Sequence, residues 1–208
     1  MISRLAVLTY LGVLAVSKAT SNKECTLPVF EKIDVSKVPG IWYQVLNSKD
    51  PVEQQVPCYV TKDMKRISND GEYLSGEIVL AVENGKVFSD PIPGHAWFYG
   101  DTSITMSDEK YEHYFIDEAK SHGANEEALK EVHEFYSLPM SEVTDYENYI
   151  LHMQCSSAGD KYVWASMRHN HPTPVDILRI HNQLADIGGG WSQVKLYFGG
   201  CTNFEKIY

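Results

Sequence analysis

Positive charge is the first thing this chain of 208 residues is short of: 18 Lys and Arg stand against 28 Asp and Glu, a net charge of −10. A surface of that sign repels phosphate backbones and anionic membranes, which excludes nucleic acid as a partner. Beyond the amino terminus there is no apolar run of spanning length. The carboxyl end, Phe204-Glu205-Lys206-Ile207-Tyr208, carries neither an anchor tail nor a retention signal, so no membrane span is expected. Asn-x-Ser/Thr acceptors are missing, and with them ordinary N-glycosylation. So are the Gly-x-Ser-x-Gly elbow, a phosphate-cradling glycine loop and His-Glu-x-x-His, which removes the common hydrolase and nucleotide-binding readings. Cysteines number only 4, with no two close enough in sequence for a zinc knuckle.

What is present begins with a leader. In residues 1–19, Arg4 supplies a positive start, Leu5 to Val16 an apolar run too short to cross a bilayer, and Ser17-Lys18-Ala19 a small-x-small cleavage site. Cleavage there takes the net charge from −10 to −12, by removing the two positive charges of Arg4 and Lys18. Residues 20–208 then form one domain, secreted and extracellular. In that compartment Cys25, Cys58, Cys155 and Cys201 imply two disulfides, with three pairings open to them. Aromatic residues make up 12% of the chain, 13 of them Tyr, and such side chains line pockets as readily as cores.

Most of the chain reads as short strands: Trp42 to Leu46, a run from Cys58, Glu77 to Val82 ending in the hairpin signal Asn84-Gly85, Ala96 to Tyr99, and Ser103 to Met106. Tyr111 to Ile116, Tyr149 to Cys155, Tyr162 to Met167 and Trp191 to Phe198 extend the series. Two segments differ. Asp117 to Glu131 is acidic and strand-poor, with a short helix expected at Asn125 to Glu131. Thr173-Pro174-Val175-Asp176 provides a hydroxyl N-cap, proline at the first helical position and an acid three residues in. Ile177, Ile180, Leu184 and Ile187 then share one helix face, and Gly188 can end it. The pattern is all-β, a sandwich or barrel with one amphipathic helix on its wall.

Three strings give this pattern a likeness. Gly40-Ile41-Trp42-Tyr43, Thr144-Asp145-Tyr146 and Arg168, at the end of a strand-like run, resemble in that order the three motifs of the lipocalin family. The similarity runs from about Cys25 to Cys201. Within the family it looks most like the apolipoprotein D group and the insect bilin-binding proteins, in Asp145-Tyr146-Glu147-Asn148-Tyr149 and in Phe30 to Lys37. The insertion around Asp117 to Glu131, on the expected connection between the fifth and sixth strands, departs from it.

The resemblance implies an eight-stranded antiparallel up-and-down β-barrel with a carboxyl-terminal helix packed on its wall. It implies Trp42 covering the closed end, Arg168 stacked beside it, and Gly40, Thr144, Asp145 and Tyr146 as structural motif residues. It implies disulfides Cys25–Cys155 and Cys58–Cys201.

An eight-stranded barrel leaves room for packed side chains or one small ligand. With Cys58 pointing outward, alternation turns Tyr59, Thr61 and Asp63 inward. The inward parity of Arg168 carries Tyr162, Trp164 and Ser166 with it. The family alignment puts Tyr149, Leu151 and Met153 inside, and Ile150 and His152 outside. Trp97 and Tyr99 share one face of their strand, and which face is left open. The resemblance thus implies binding and transport of a small hydrophobic ligand, a bilin or similar pigment first and a steroid, retinoid or fatty acid second. Burying ~300 Å² of ligand apolar surface at ~25 cal/mol/Å² supplies about 7 kcal/mol before binding costs. No cofactor is required beyond such an occupant (biliverdin-like if a bilin), no metal is expected, and oligomeric state stays open.

Rival classes are a catalytic lipocalin, a haem carrier and a surface-acting inhibitor or coat subunit. An isomerase of the prostaglandin kind needs a reactive thiol, and the disulfides claim all four sulfurs. A haem carrier needs an axial histidine inside the barrel, and the alignment leaves His152 outside. His169-Asn170-His171 reads as a solvated turn.

Overall fold

The computed structural model describes residues 25–50, 58–66, 73–79, 81–83, 86–88, 92–107, 109–121, 123–203 and 205; the side chains of Asp63, Lys65, Arg66, Tyr114, Glu118 and of residues 73–97 and 109–111 lie outside that description. The leader, residues 1–19, is also outside it.

Two strands show how the wall is built. β9 (Tyr149–Cys155) and β10 (Lys161–Met167) pair antiparallel, with Tyr149 opposite Met167, Leu151 opposite Ala165 and Met153 opposite Val163. Residues that face each other across a pair share a side of the sheet, so these six form one apolar face. Helix α3 (Pro174–Ile187) lies on it, burying Ile180 and Leu184 among Leu151, Met153, Val163 and Ala165. Each fully buried aliphatic side chain here contributes ~1.5–3 kcal/mol.

α3 starts and stops as its sequence dictates. The Thr173 hydroxyl accepts from the Asp176 amide, the Asp176 carboxylate accepts from the Thr173 amide, and Pro174 opens the first turn. Gly188, at φ 73°, ends it. A reciprocal cap of this kind satisfies two otherwise orphaned amides.

The ring is completed by β1 (Ile41–Asn47), β2 (Val60–Arg66), β3 (Tyr73–Val79), β6 (Ile92–Phe98), β7 (Ile104–Ser107) and β8 (Met140–Thr144). Neighbours run β10-β9-β8-β7-β6-β3-β2-β1, and β1 pairs again with β10, which closes eight antiparallel strands into a barrel. β4 (Ala81–Glu83) and β5 (Lys86–Phe88) form a separate hairpin, with Glu83 opposite Lys86. β11 is only Tyr197–Phe198, added to the far half of β1. The longer strand expected from Trp191 does not form. Trp191 instead sits in a short 3-10 turn, Trp191–Gln193, buried against the α3 face, because its burial there outweighs strand propensity.

Between β7 and β8 the chain makes two helices, α1 (Glu109–Ser121) and α2 (Glu126–Ser137). The expected strand Tyr111 to Ile116 is therefore helix. Its aromatic and β-branched residues are strand formers, yet Glu112, Phe115, Ile116 and Ala119 repeat at helical spacing, and Phe115 packs on Val132 and Tyr136 of α2. Asn125 caps α2 by accepting from the Ala128 amide.

Both disulfides fasten chain ends to the ring: Cys25 to Cys155 at the end of β9, and Cys58 before β2 to Cys201. They join residues 130 and 143 apart, loops whose closure is worth about 5 kcal/mol each in the chain-entropy model. No cysteine is free.

Candidate binding interior and its two ends

The face of β10 opposite α3 carries Tyr162, Trp164 and Ser166, and the register extends it round the barrel in rungs. Ser166 stands beside Gln44 of β1 and Ile150 of β9. Above it, Asn47, Trp164, His152 and Glu142 lie side by side across β1, β10, β9 and β8. The next rung holds Tyr162, Gln154 and Met140. On the far side Thr61 shares the Trp42 face of the β1–β2 pair.

The closed end is sealed by an aromatic–cation stack. The Arg168 guanidinium lies 3.6 Å from the centroid of the fully buried Trp42 ring, and its Nη1 donates to the Pro39 carbonyl. The Trp42 indole N–H donates to the Val38 carbonyl at 3.1 Å. Gly40 has φ 88°, a conformation that favours glycine, and a Cβ there would sit 3.3 Å from Arg168 Nη1, close enough that the guanidinium would have to shift by a few tenths of an ångström. Ile33, Val38, Phe98 and Ile150 pack around the Trp42 ring.

A second structural knot, at the β8–β9 turn, uses the Thr144-Asp145-Tyr146 string. Asp145 Oδ1 accepts from the amides of Glu147, Asn148 and Tyr149, at 3.1, 2.7 and 3.1 Å. Burial pushes this carboxyl up, but those amides and the Asn148 side chain outweigh it and hold the pKa below the ordinary 3.8. Tyr146, at φ 67°, spends its hydroxyl accepting from the Asp34 amide of the amino-terminal coil at 3.1 Å.

At the other end the α1–α2 pair covers the mouth. The Phe135 ring meets the Trp164 ring edge-on at 5.2 Å, and Phe115 and Tyr136 pack with their centroids 4.5 Å apart beside Tyr59. Glu134 accepts from the Ser157 hydroxyl and amide, and His133 Nδ1 bonds Glu112 across the two helices. Burial, then the nearby Tyr59 and Asp50, raise the Tyr136 pKa well above 10.0.

Polar groups sit deep in this interior. Asp50, fully buried, accepts from the Trp164 indole N–H at 2.7 Å. Glu142 accepts from the Thr105 hydroxyl at 3.3 Å and lies 3.4 Å from His152 Nδ1. Gln154, 1% exposed, donates its amide hydrogens to the carbonyls of Phe135 (2.8 Å) and Leu138 (3.2 Å) at the end of α2. Its Oε1 is buried and has no hydrogen-bond partner among the described residues. A buried acceptor left unmatched costs roughly 1–3 kcal/mol.

Of the residues expected to line the cavity, Tyr59, Thr61, Tyr162, Trp164 and Ser166 do project inward. Three do not. Tyr149, Leu151 and Met153 belong to the outer face under α3, where the Tyr149 hydroxyl donates to Gln183 Oε1 at 2.9 Å. Ile150 and His152 take the inner face instead. The alignment inverted this strand, yet its own disulfide held the answer: Cys155 bonds outward to Cys25, so every second residue before it faces outward too. With His152 inside, the steric ground for excluding a haem carrier lapses, although its Nδ1 is engaged by Glu142. Tyr99 lies past the end of β6 and is 58% exposed, because β6 stops at Phe98 and Tyr99 turns into solvent. The side chains of Asp63 and Trp97 fall outside the described residues. Glu142, Gln154, Asn47 and Asp50 were missed, since interior polar residues carry no hydropathy signal of their own.

No family model matches the chain, and no curated protein matches it in sequence. Solved structures do match in shape. Insecticyanin from the tobacco hornworm Manduca sexta superposes with a TM-score of 0.54 at 13% identity, over 89% of this chain and 92% of that one. The cockroach major allergen Per a 4 gives 0.50 at 13%, covering 79% and 87%. The bovine lipocalin allergen Bos d 2 gives 0.50 at 14%, covering 84% and 99%. With the closed eight-stranded ring, the Trp42–Arg168 seal and the wall helix already in place, these likenesses show that the chain is built on the lipocalin fold.

Proposed function

We propose that this protein binds and carries a small molecule inside its barrel, in the extracellular space, without acting on it chemically. The observation that carries the reading is the contrast between the two faces of β9 and β10. Their outer face is a dry aliphatic core under α3, whereas the inner face presents Trp164, Tyr162, His152, Gln154 and Ser166. A barrel filled only for stability gains nothing from buried polar groups, which cost free energy unless partnered. An interior that must recognise an occupant needs them.

The occupant has an apolar or aromatic body, stacked against Trp164 and Tyr162, and reaches the interior past α1 and α2. A bilin or similar pigment is the first candidate and a steroid, retinoid or fatty acid the second. The motif strings that resemble apolipoprotein D and the bilin-binding proteins support the pigment. Two disulfides and the leader-like residues 1–19 support secretion. The absence of any free thiol supports carriage over thiol-dependent isomerisation.

Native mass spectrometry with an absorption spectrum, on protein from its own source, tests this. A bound mass with a visible band supports a pigment, and a colourless bound mass supports a lipid. Protein with no bound mass that also takes up neither biliverdin nor retinol would overturn carriage.

A further inference from the structure

Resting on that carriage reading, we infer that Gln154 is the residue that recognises the occupant, and that the occupant presents an N–H or O–H donor to Gln154 Oε1. The amide orientation follows from its surroundings. Both hydrogens of Nε2 are taken by the Phe135 and Leu138 carbonyls. Flipping the group would set its oxygen against two carbonyl oxygens, so Oε1 is the atom left facing away from α2. That oxygen is buried and unmatched, in a side chain 1% exposed on the same inner face as His152 and Tyr162. An acceptor held rigidly inside a barrel and given no donor by the protein is shaped for a donor from elsewhere.

The neighbouring charges narrow the class further. Glu142 and Asp50 bring carboxylates to the same interior. A ligand carboxylate pushed down among them meets like charge in a low-dielectric site, whereas a hydroxyl, lactam, pyrrole or amine does not. The end of the occupant that lies under α2 therefore carries the donor, and any acid group it has lies away from Gln154, Glu142 and Asp50. Because Nε2 holds the end of α2 while Oε1 holds the occupant, Gln154 also joins the bound molecule to the helical cover.

Matched naphthalene probes test the assignment on the full disulfide-bonded protein. Affinities of 2-naphthol and the near-isosteric 2-methylnaphthalene are measured for the natural protein and for Gln154→Met. The preference for naphthol over methylnaphthalene should fall about tenfold in the variant, the value of one lost hydrogen bond in a dry site. In the natural protein, naphthol should also shift the Gln154 side-chain carbonyl carbon resonance and methylnaphthalene should leave it in place, a readout independent of how the variant folds. An unchanged preference in Gln154→Met, a carbonyl resonance indifferent to both probes, or binding of neither probe would each overturn the assignment. Carriage itself would survive those results if native mass spectrometry still found a bound molecule.

Discussion

Arg168 and Trp42 form a stacked pair 3.6 Å apart at the closed end of the barrel, with the guanidinium also donating to the Pro39 carbonyl. One side chain thereby ties the last residue after β10 to the start of β1 and to the coil before it. Replacing Arg168 with Met should cost about 1–3 kcal/mol, from the lost cation–π contact and the lost charge-assisted hydrogen bond. Arg168→Lys should recover only part of that, because an ammonium cannot both stack flat and donate sideways. Urea unfolding of the two variants measures both values.

The turn carboxylate Asp145 makes stability depend on acid. Its folded pKa lies below the ordinary 3.8, so the folded state favours the charged form. The contribution is fully present above 3.8 and is lost as pH falls through the folded value. Asp145→Ala should cost about 1–3 kcal/mol near neutral pH, and the gap to the natural protein should close in strong acid. Denaturant titrations across the acid range read the convergence.

Tyr136 predicts the opposite limb. Burial holds its phenol neutral well above pH 10.0, so the packing of α2 is stable below that point and weakens as pH rises toward the raised value. Ultraviolet titration should show a late-ionising tyrosine that disappears in Tyr136→Phe. A titration curve unchanged by that substitution would contradict the buried environment.

The two faces of β9 and β10 separate stability from binding. Leu151→Ala, on the outer face, should lower stability by about 2–5 kcal/mol and leave ligand affinity unchanged. Trp164→Phe removes the indole N–H that Asp50 accepts and should weaken ligand binding while the fold persists. Calorimetric unfolding and equilibrium binding on both variants check the division.

The helical cover predicts kinetics. Phe135→Ala deletes the ring that meets Trp164 edge-on and should speed ligand release by about tenfold, with a smaller change in association. Stopped-flow displacement with biliverdin or retinol measures it.

Much of this architecture was legible in the sequence, and for stated reasons. α3 could be drawn from Thr173, Pro174, Asp176 and Gly188 because caps are local chemistry. β9 and β10 were found nearly to the residue because their strand formers end at clear turn signals. The disulfide pairing came from family likeness, not from spacing. Inside and outside on β9 were harder. Alternation yields two faces but does not name them, and the family alignment used to name them turned the apolar face inward, where in this chain α3 makes the exterior the drier side. α1 reads as a strand because Tyr111, Tyr114, Phe115 and Ile116 are strand formers, and its helical spacing emerges only when Ala119 is included. Interior polar residues such as Gln154 and Glu142 stayed hidden, since only tertiary packing tells a buried glutamine from a solvated one.

The placement of α3 has a consequence for how such a scaffold can change. Its cohesion resides largely in a laminate on the outside, between a wall and its cladding. If the barrel carries a small molecule, its inner lining can be repainted residue by residue for a new one, with little risk to the masonry.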